Sequence, residues 1–126
     1  MGRRKCIGPT DRELAILRIL WEKGPATVRQ VNEAMNEDED TGYTTTLKLM
    51  QIMTDKGLLH RDDSQWRHIF RPATSQEKTQ GYLVSELLDK AFAGSAEKLV
   101  MRVLSAKKVS VEERMRIKEM LDTYKE

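Results

Sequence analysis

Two glycine stops, Lys23-Gly24-Pro25 and Lys56-Gly57, cut the first part of this chain into stretches that can hold only short helices. Each stretch opens on its own start signal. Thr10 and Glu13 form a capping box, in which a hydroxyl and a carboxylate each satisfy a backbone N–H that the first helical turn leaves orphaned, and Thr27 with Gln30 repeats it. Leu14, Leu17, Leu20 and Trp21 recur at helical spacing after the first box, and Val28, Val31 and Met35 after the second. The pattern predicts a third helix from about Thr44 to Lys56, closed by a left-handed residue at Gly57. Leu58-Leu59-His60-Arg61 and the run from Trp66 to Arg71 then read as two strands around the turn Asp62-Asp63-Ser64-Gln65, and Pro72 ends the second strand.

Three short helices and a hairpin, in that order, are the plan of a winged helix-turn-helix. Beyond Pro72 the pattern is helical throughout. Ser75 caps a helix to about Phe92, Gly94-Ser95 breaks it, and a short helix carries Leu99, Val100, Val103 and Leu104. Ser110 and Glu113 make a third capping box, opening a last helix with Ile117, Met120, Leu121 and Tyr124 on one stripe. The expected architecture is mainly α with a small β-wing. Residues 1–73 form the N-terminal winged helix-turn-helix domain, which binds DNA, and 74–126 a C-terminal helical dimerisation domain.

The third helix should carry the function. Thr46, Leu49, Met50 and Met53 share one face and must pack inward, which leaves Thr44, Thr45, Leu47, Lys48 and Gln51 outward. Gln reads adenine, Lys reaches guanine or phosphate, Thr bonds to either, and an outward Leu can touch a thymine methyl. An ordinary surface helix is also polar outside, but such helices usually carry Glu, and this one has no carboxylate before Asp55. On the hairpin sit Arg61, Arg67, His68 and Arg71; Arg67, at the tip, is the candidate phosphate contact. Arg3-Arg4-Lys5 forms a second basic segment, and the acidic loop Glu37-Asp38-Glu39-Asp40 should point away from any phosphate.

Net charge argues neither way. The formal charge is +2, with 12 basic against 11 acidic side chains in residues 1–75 and 10 against 9 in 76–126, so DNA contact must come from local placement of charge. Cys6 is the one cysteine, which excludes an internal disulfide or a thiolate metal cluster within the chain. With no long apolar run and no signal peptide, a cytoplasmic protein with no membrane partner is expected. His60 and His68 have no nucleophile at a catalytic spacing and no glycine-rich phosphate loop is present, so no enzyme activity, cofactor or metal is expected.

The helical tail needs something to cover its apolar side chains. Leu83, Leu87, Leu88, Phe92, Leu99, Val100, Val103, Ile117 and Leu121 can pack back on their own chain or against a second copy. The second option makes a homodimer whose two recognition helices read two half-sites of one palindrome. A protein–protein interaction module that uses the same scaffold without binding DNA is the alternative, and strong salt dependence of duplex binding separates the two.

The sequence also resembles the penicillinase repressors of the BlaI/MecI type over nearly its whole length. The resemblance rests on Thr10, Glu13 and Leu20-Trp21, on Gly24-Pro25-Ala26-Thr27-Val28-Arg29, on Tyr43-Thr44-Thr45 leading to Lys56-Gly57-Leu58, on His68-Ile69-Phe70-Arg71-Pro72, and on Phe92-Ala93-Gly94-Ser95. It implies a homodimeric repressor that binds a palindromic DNA operator and blocks polymerase. It also implies, as a further partner, a regulatory protease that cuts at an Asn-Phe pair; Arg102-Val103 stands at that position here, so the resemblance does not extend to that cut. The paired cysteines of copper-responsive relatives are absent from the tail. At the wing tip, Gln65-Trp66 stands where many relatives have Gly-Arg, with Arg67 one place later.

Overall fold

Helix starts in this chain are set locally, and the first two capping boxes form as their spacing requires. In the computed structural model, which describes residues 8–37, 40–106 and 108–124, the Thr10 Oγ1 accepts from the Glu13 N–H at 3.2 Å and the Glu13 carboxylate accepts from the Thr10 N–H at 3.0 Å. Helix α1 (Asp11–Lys23) follows. Thr27 and Gln30 make the same reciprocal pair at 3.2 and 2.9 Å and open α2 (Val28–Met35). The predicted basic segment Arg3-Arg4-Lys5, Cys6 and the acidic pair Asp38-Glu39 lie outside the described residues.

Helix α3 (Tyr43–Asp55) starts one residue earlier than its expected Thr44. Its end is a paired backbone motif: Gly57 at φ +85° donates to the Thr54 carbonyl, and Leu58 donates to that of Met53 at 2.8 Å. Strands β1 (Leu59–Asp62) and β2 (Ile69–Pro72) pair antiparallel from Leu59 opposite Pro72 to Asp62 opposite Ile69. The hairpin loop is therefore longer than predicted. Trp66, Arg67 and His68, expected on the second strand, lie in the loop instead. The Asp62 carboxylate accepts from the Ser64 N–H at 3.0 Å, turning the chain before β1 can extend. On the loop side of Ile69, residues 63–68 are all exposed and have no core to enter.

The core is built from one face of each helix and two strand residues. Ile16, Leu17 and Leu20 of α1, Val28, Val31 and Met35 of α2, Met50 and Met53 of α3, Leu59 and Phe70 are buried together. Leu14, expected on the α1 stripe, is half-buried, and Ile16 takes the deeper place. Phe70 does more than fill space: its N–H donates to the Ala26 carbonyl at 2.8 Å, and the Ala26 N–H donates back at 3.0 Å, so β2 is tied to the α1–α2 connection on its other edge. The Trp21 indole N–H reaches the Thr74 carbonyl at 3.1 Å and fixes the chain leaving the wing.

The remaining helices are α4 (Gln76–Ala91), α5 (Ala96–Ser105) and α6 (Val111–Thr123). The chain forms two compact units, Met1–Leu83 and Val84–Glu126. Ser75, Ser95 and Ser110 each accept the N–H three residues on. Of the third predicted capping box only this hydroxyl half forms; the Glu113 carboxylate does not return the bond. Among the described residues no helix is long and apolar enough to cross a membrane.

Glu13 is a buried hinge of the first unit, 3% exposed, and besides capping α1 it takes the Lys56 ammonium at 2.7 Å from the end of α3. Glu13→Ala removes both bonds and leaves the Thr10 N–H without a partner, at an expected cost of ~1–3 kcal/mol in chemical denaturation. A loss below ~0.5 kcal/mol would mean that the tie contributes little.

Candidate nucleic-acid interface

The outward face of α3 follows from the face it buries. Thr46, Met50 and Met53 are at 0% exposure, so the opposite side of the helix must face solvent. Thr44, Thr45, Lys48 and Gln51 are all exposed. Leu47, expected outward, is half-buried and packs against the core. Its methyls are still reachable, because they line a cleft between α3, the start of α2 and the wing.

That cleft has a volume of about 710 Å³, and its lining shows what it suits. Val28, Leu47 and Phe70 contribute apolar surface, while Arg29, Gln51, Arg61, Arg67 and His68 contribute polar groups; among the described residues no carboxylate lines it. The exposed lining is more apolar than polar, but its charged groups are all of one sign. A trough with three arginines and no acid is well matched to a strand of phosphates.

Arg29 and Tyr43 are among the lining residues that the sequence candidates for DNA contact do not include. Tyr43 carried a usable signal: it precedes Leu47 by four residues, as Leu47 precedes Gln51, so all three share a helix face. Arg29 carried none beyond its charge, since the wing brought alongside it is remote in sequence.

The turn before α3 is anchored by Asn32 of α2, whose amide donates to the Thr41 carbonyl and to the Thr46 hydroxyl, each at 2.9 Å. Asn36 accepts from the Thr41 N–H at 2.6 Å. These bonds set the angle at which α3 leaves α2.

Charge on the wing is largely paired internally. Asp63 takes the Arg61 guanidinium at 2.8 Å and lies 3.7 Å from the His68 imidazole, an ion pair when that ring is protonated. The Asp62 carboxyl is held below its ordinary value of 3.8, first by the Ser64 backbone N–H, then by the Ser64 hydroxyl, with the Arg71 charge adding a smaller pull. Arg67 instead lies over the Trp66 ring, 4.8 Å from its centroid.

The expected dimerisation residues show a common pattern. Leu87, Val100, Val103 and Leu121 are exposed, at 45%, 42%, 45% and 69%. Leu83, Leu88, Phe92, Leu99 and Ile117 are half-buried. No described residue of the unit Val84–Glu126 is fully buried.

Three helices closed by a two-stranded wing, with a polar outer face on the third helix, define a winged helix-turn-helix module in a mainly α chain. Residues 9–123 match the family model for the penicillinase repressor, and the chain belongs to that family. "Transcriptional regulator BlaI" of Mycobacterium tuberculosis, in two strains, is 30% identical over 89 residues. That match takes in 69% of this chain and 64% of the relative's own length, a little under two thirds of it. A solved structure with partial likeness is the homodimeric winged helix-turn-helix DNA-binding domain (fragment 1-100) of Mb0332 from Mycobacterium bovis, described as a possible ArsR-family transcriptional regulator. It shares 22% identity at a TM-score of 0.46, covering 68% of this chain and 75% of that one.

Because Asp62 titrates below its ordinary value, the stability its bonds lend the wing turn is present above pH 3.8 and is lost as pH falls through the lowered value. Ser64→Ala should shift the Asp62 midpoint upward, yet leave it below 3.8, because the backbone N–H still donates. A carboxyl-carbon NMR titration reads this, and an unmoved midpoint would show the hydroxyl has no part in it.

Proposed function

We propose that this chain is a transcriptional repressor that binds a palindromic DNA operator as a homodimer and blocks transcription from it. The observation that carries the reading is the carboxylate-free trough beside the exposed face of α3. Thr44, Thr45, Lys48 and Gln51 offer donors and acceptors suited to base edges in a major groove. Leu47 supplies apolar surface to a thymine methyl at the border of the trough. Arg67 on the wing takes a backbone phosphate, which fixes register without reading sequence. Family membership supports the same reading.

The second half of the proposal concerns Val84–Glu126. This unit exposes Leu87, Val100, Val103, Met120 and Leu121 and buries none of its described residues. A helical segment with that much uncovered apolar surface is poorly stable alone. A second copy offers a matching surface by symmetry, and two-fold pairing then delivers two recognition helices to one duplex. Release by a cut at Arg102–Val103 is not part of the reading: the bond lies inside α5, whose backbone must unwind before a protease can reach it.

Selection of bound duplexes from a random pool tests the whole proposal, since it reports binding, palindromy and half-site spacing together. With the recovered duplex, Lys48→Ala and Gln51→Ala should each lose ~1–3 kcal/mol of affinity in gel-shift titrations. Unchanged affinity in both would remove α3 as the reading element. Binding should also weaken steeply with salt, and duplex binding insensitive to salt would favour a protein-binding module instead. For the dimer, Leu87→Glu and Leu121→Glu should drive the chain to monomer in sedimentation equilibrium. Since both side chains are already exposed, the winged-helix unit should keep its unfolding transition.

A further inference from the structure

The wing carries an aromatic side chain that folding does not require. Trp66 is 87% exposed, in the loop between β1 and β2, and it touches none of the core that Phe70 and Leu59 enter. Leaving so large an apolar surface in water costs free energy unless a partner covers it.

Its neighbours narrow the choice of partner. Of the basic groups around the hairpin, Arg61 is bound to Asp63, His68 faces the same carboxylate, and Arg71 acts on Asp62. Among the described residues Arg67 has no carboxylate within ion-pair distance; its guanidinium rests 4.8 Å from the centre of the Trp66 ring. A cation over an aromatic face keeps its full charge and its outward N–H donors, while losing part of the side-chain freedom it would otherwise forfeit on binding. Asp62 and Asp63 at the base of the same loop repel a phosphate strand, so on the wing the favourable point of approach is the tip, where Trp66 and Arg67 stand.

We propose that Trp66 and Arg67 act as one unit at the wing tip, the ring holding the guanidinium toward a backbone phosphate of duplex DNA while its free surface lies against the adjoining deoxyribose. This rests on the operator-binding reading above and deepens it by giving the wing a preorganised contact. Trp66 is a positioning residue for Arg67 as well as a contact in its own right. The contact reads no base, so it raises affinity for all duplexes alike and leaves sequence preference to α3.

The test is a double-mutant cycle on the full chain, titrated against the duplex recovered from the random pool and against a mixed-sequence duplex. Arg67→Ala should weaken binding about five- to tenfold and reduce the salt slope by about one phosphate. Trp66→Ala should weaken it about two- to fivefold. The double variant should lose more than Arg67→Ala alone but less than the sum of the two single losses, on both duplexes, because the ring's hold on Arg67 is shared between them and its deoxyribose contact is not. Trp66→Phe, which keeps a ring face, should recover part of the loss, and thermal unfolding should be unchanged in all four.

A second signal comes from fluorescence. The chain has two tryptophans, and Trp21 is half-buried and tied to the Thr74 carbonyl, away from the wing tip. Duplex should therefore quench emission in the unaltered protein and leave Trp66→Phe unquenched. Strictly additive losses, or absent quenching, overturn the paired tip while operator binding stands. If the unaltered protein binds neither duplex at low salt, the operator-binding reading fails first and this proposal with it.

Discussion

What α3 buries determines what it offers. Thr46, Met50 and Met53 are sealed into the core from one side of this helix, and the Thr46 hydroxyl is further pinned by the Asn32 amide at 2.9 Å. A helix held by both apolar packing and a specific hydrogen bond cannot roll about its axis. A rotation that brought Lys48 or Gln51 inward would bury polar groups with no partner there, and would strip Asn32 of a bond it makes below the surface. The exposed row Thr44, Thr45, Lys48 and Gln51 is thus a consequence of core formation. On the proposed function, specificity is inherited from the same contacts that stabilise the fold.

The wing depends on a second tie of the same kind. Two strands of four residues make a weak sheet on their own. Here the two hydrogen bonds between Phe70 and Ala26 give β2 a partner on its far edge, and the Phe70 side chain enters the core beside them. The result is a hairpin whose base is rigid and whose tip is free of core contacts. The loop carrying Trp66 and Arg67 is thereby set alongside Arg29 and Gln51 across the trough.

Local chemistry made most of the helices legible. Thr10 with Glu13 and Thr27 with Gln30 start their helices through bonds spanning three residues, so the sequence contains all the information needed. Gly57 marks the end of α3 for the same reason. Features that depend on remote partners were less legible. The run from Trp66 to Arg71 reads as a strand, yet pairing stops at Ile69, where the core stops and the Asp62–Ser64 bond has already turned the chain. Leu47 was placed outward by helical angle alone, and the wing folding beside it half-covers it. Arg29 joined the trough through the Ala26–Phe70 bridge, a pairing across 44 residues that periodicity does not encode.

Between the two units the logic of burial inverts. Met1–Leu83 contains every fully buried residue of the described chain. Val84–Glu126 forms regular, serine-capped helices yet buries nothing completely, and Val111, Met115, Met120, Leu121 and Tyr124 are each at least 60% exposed along α6 and its end. Backbone capping can start a helix, but it cannot hold an array of short ones together in water, where most helical stability comes from packing an apolar face. The second unit therefore depends on a surface outside itself. On the proposed function a second copy supplies that surface, which ties assembly to binding: a lone winged-helix unit would reach one half-site, and covering the apolar face of Val84–Glu126 would supply the other.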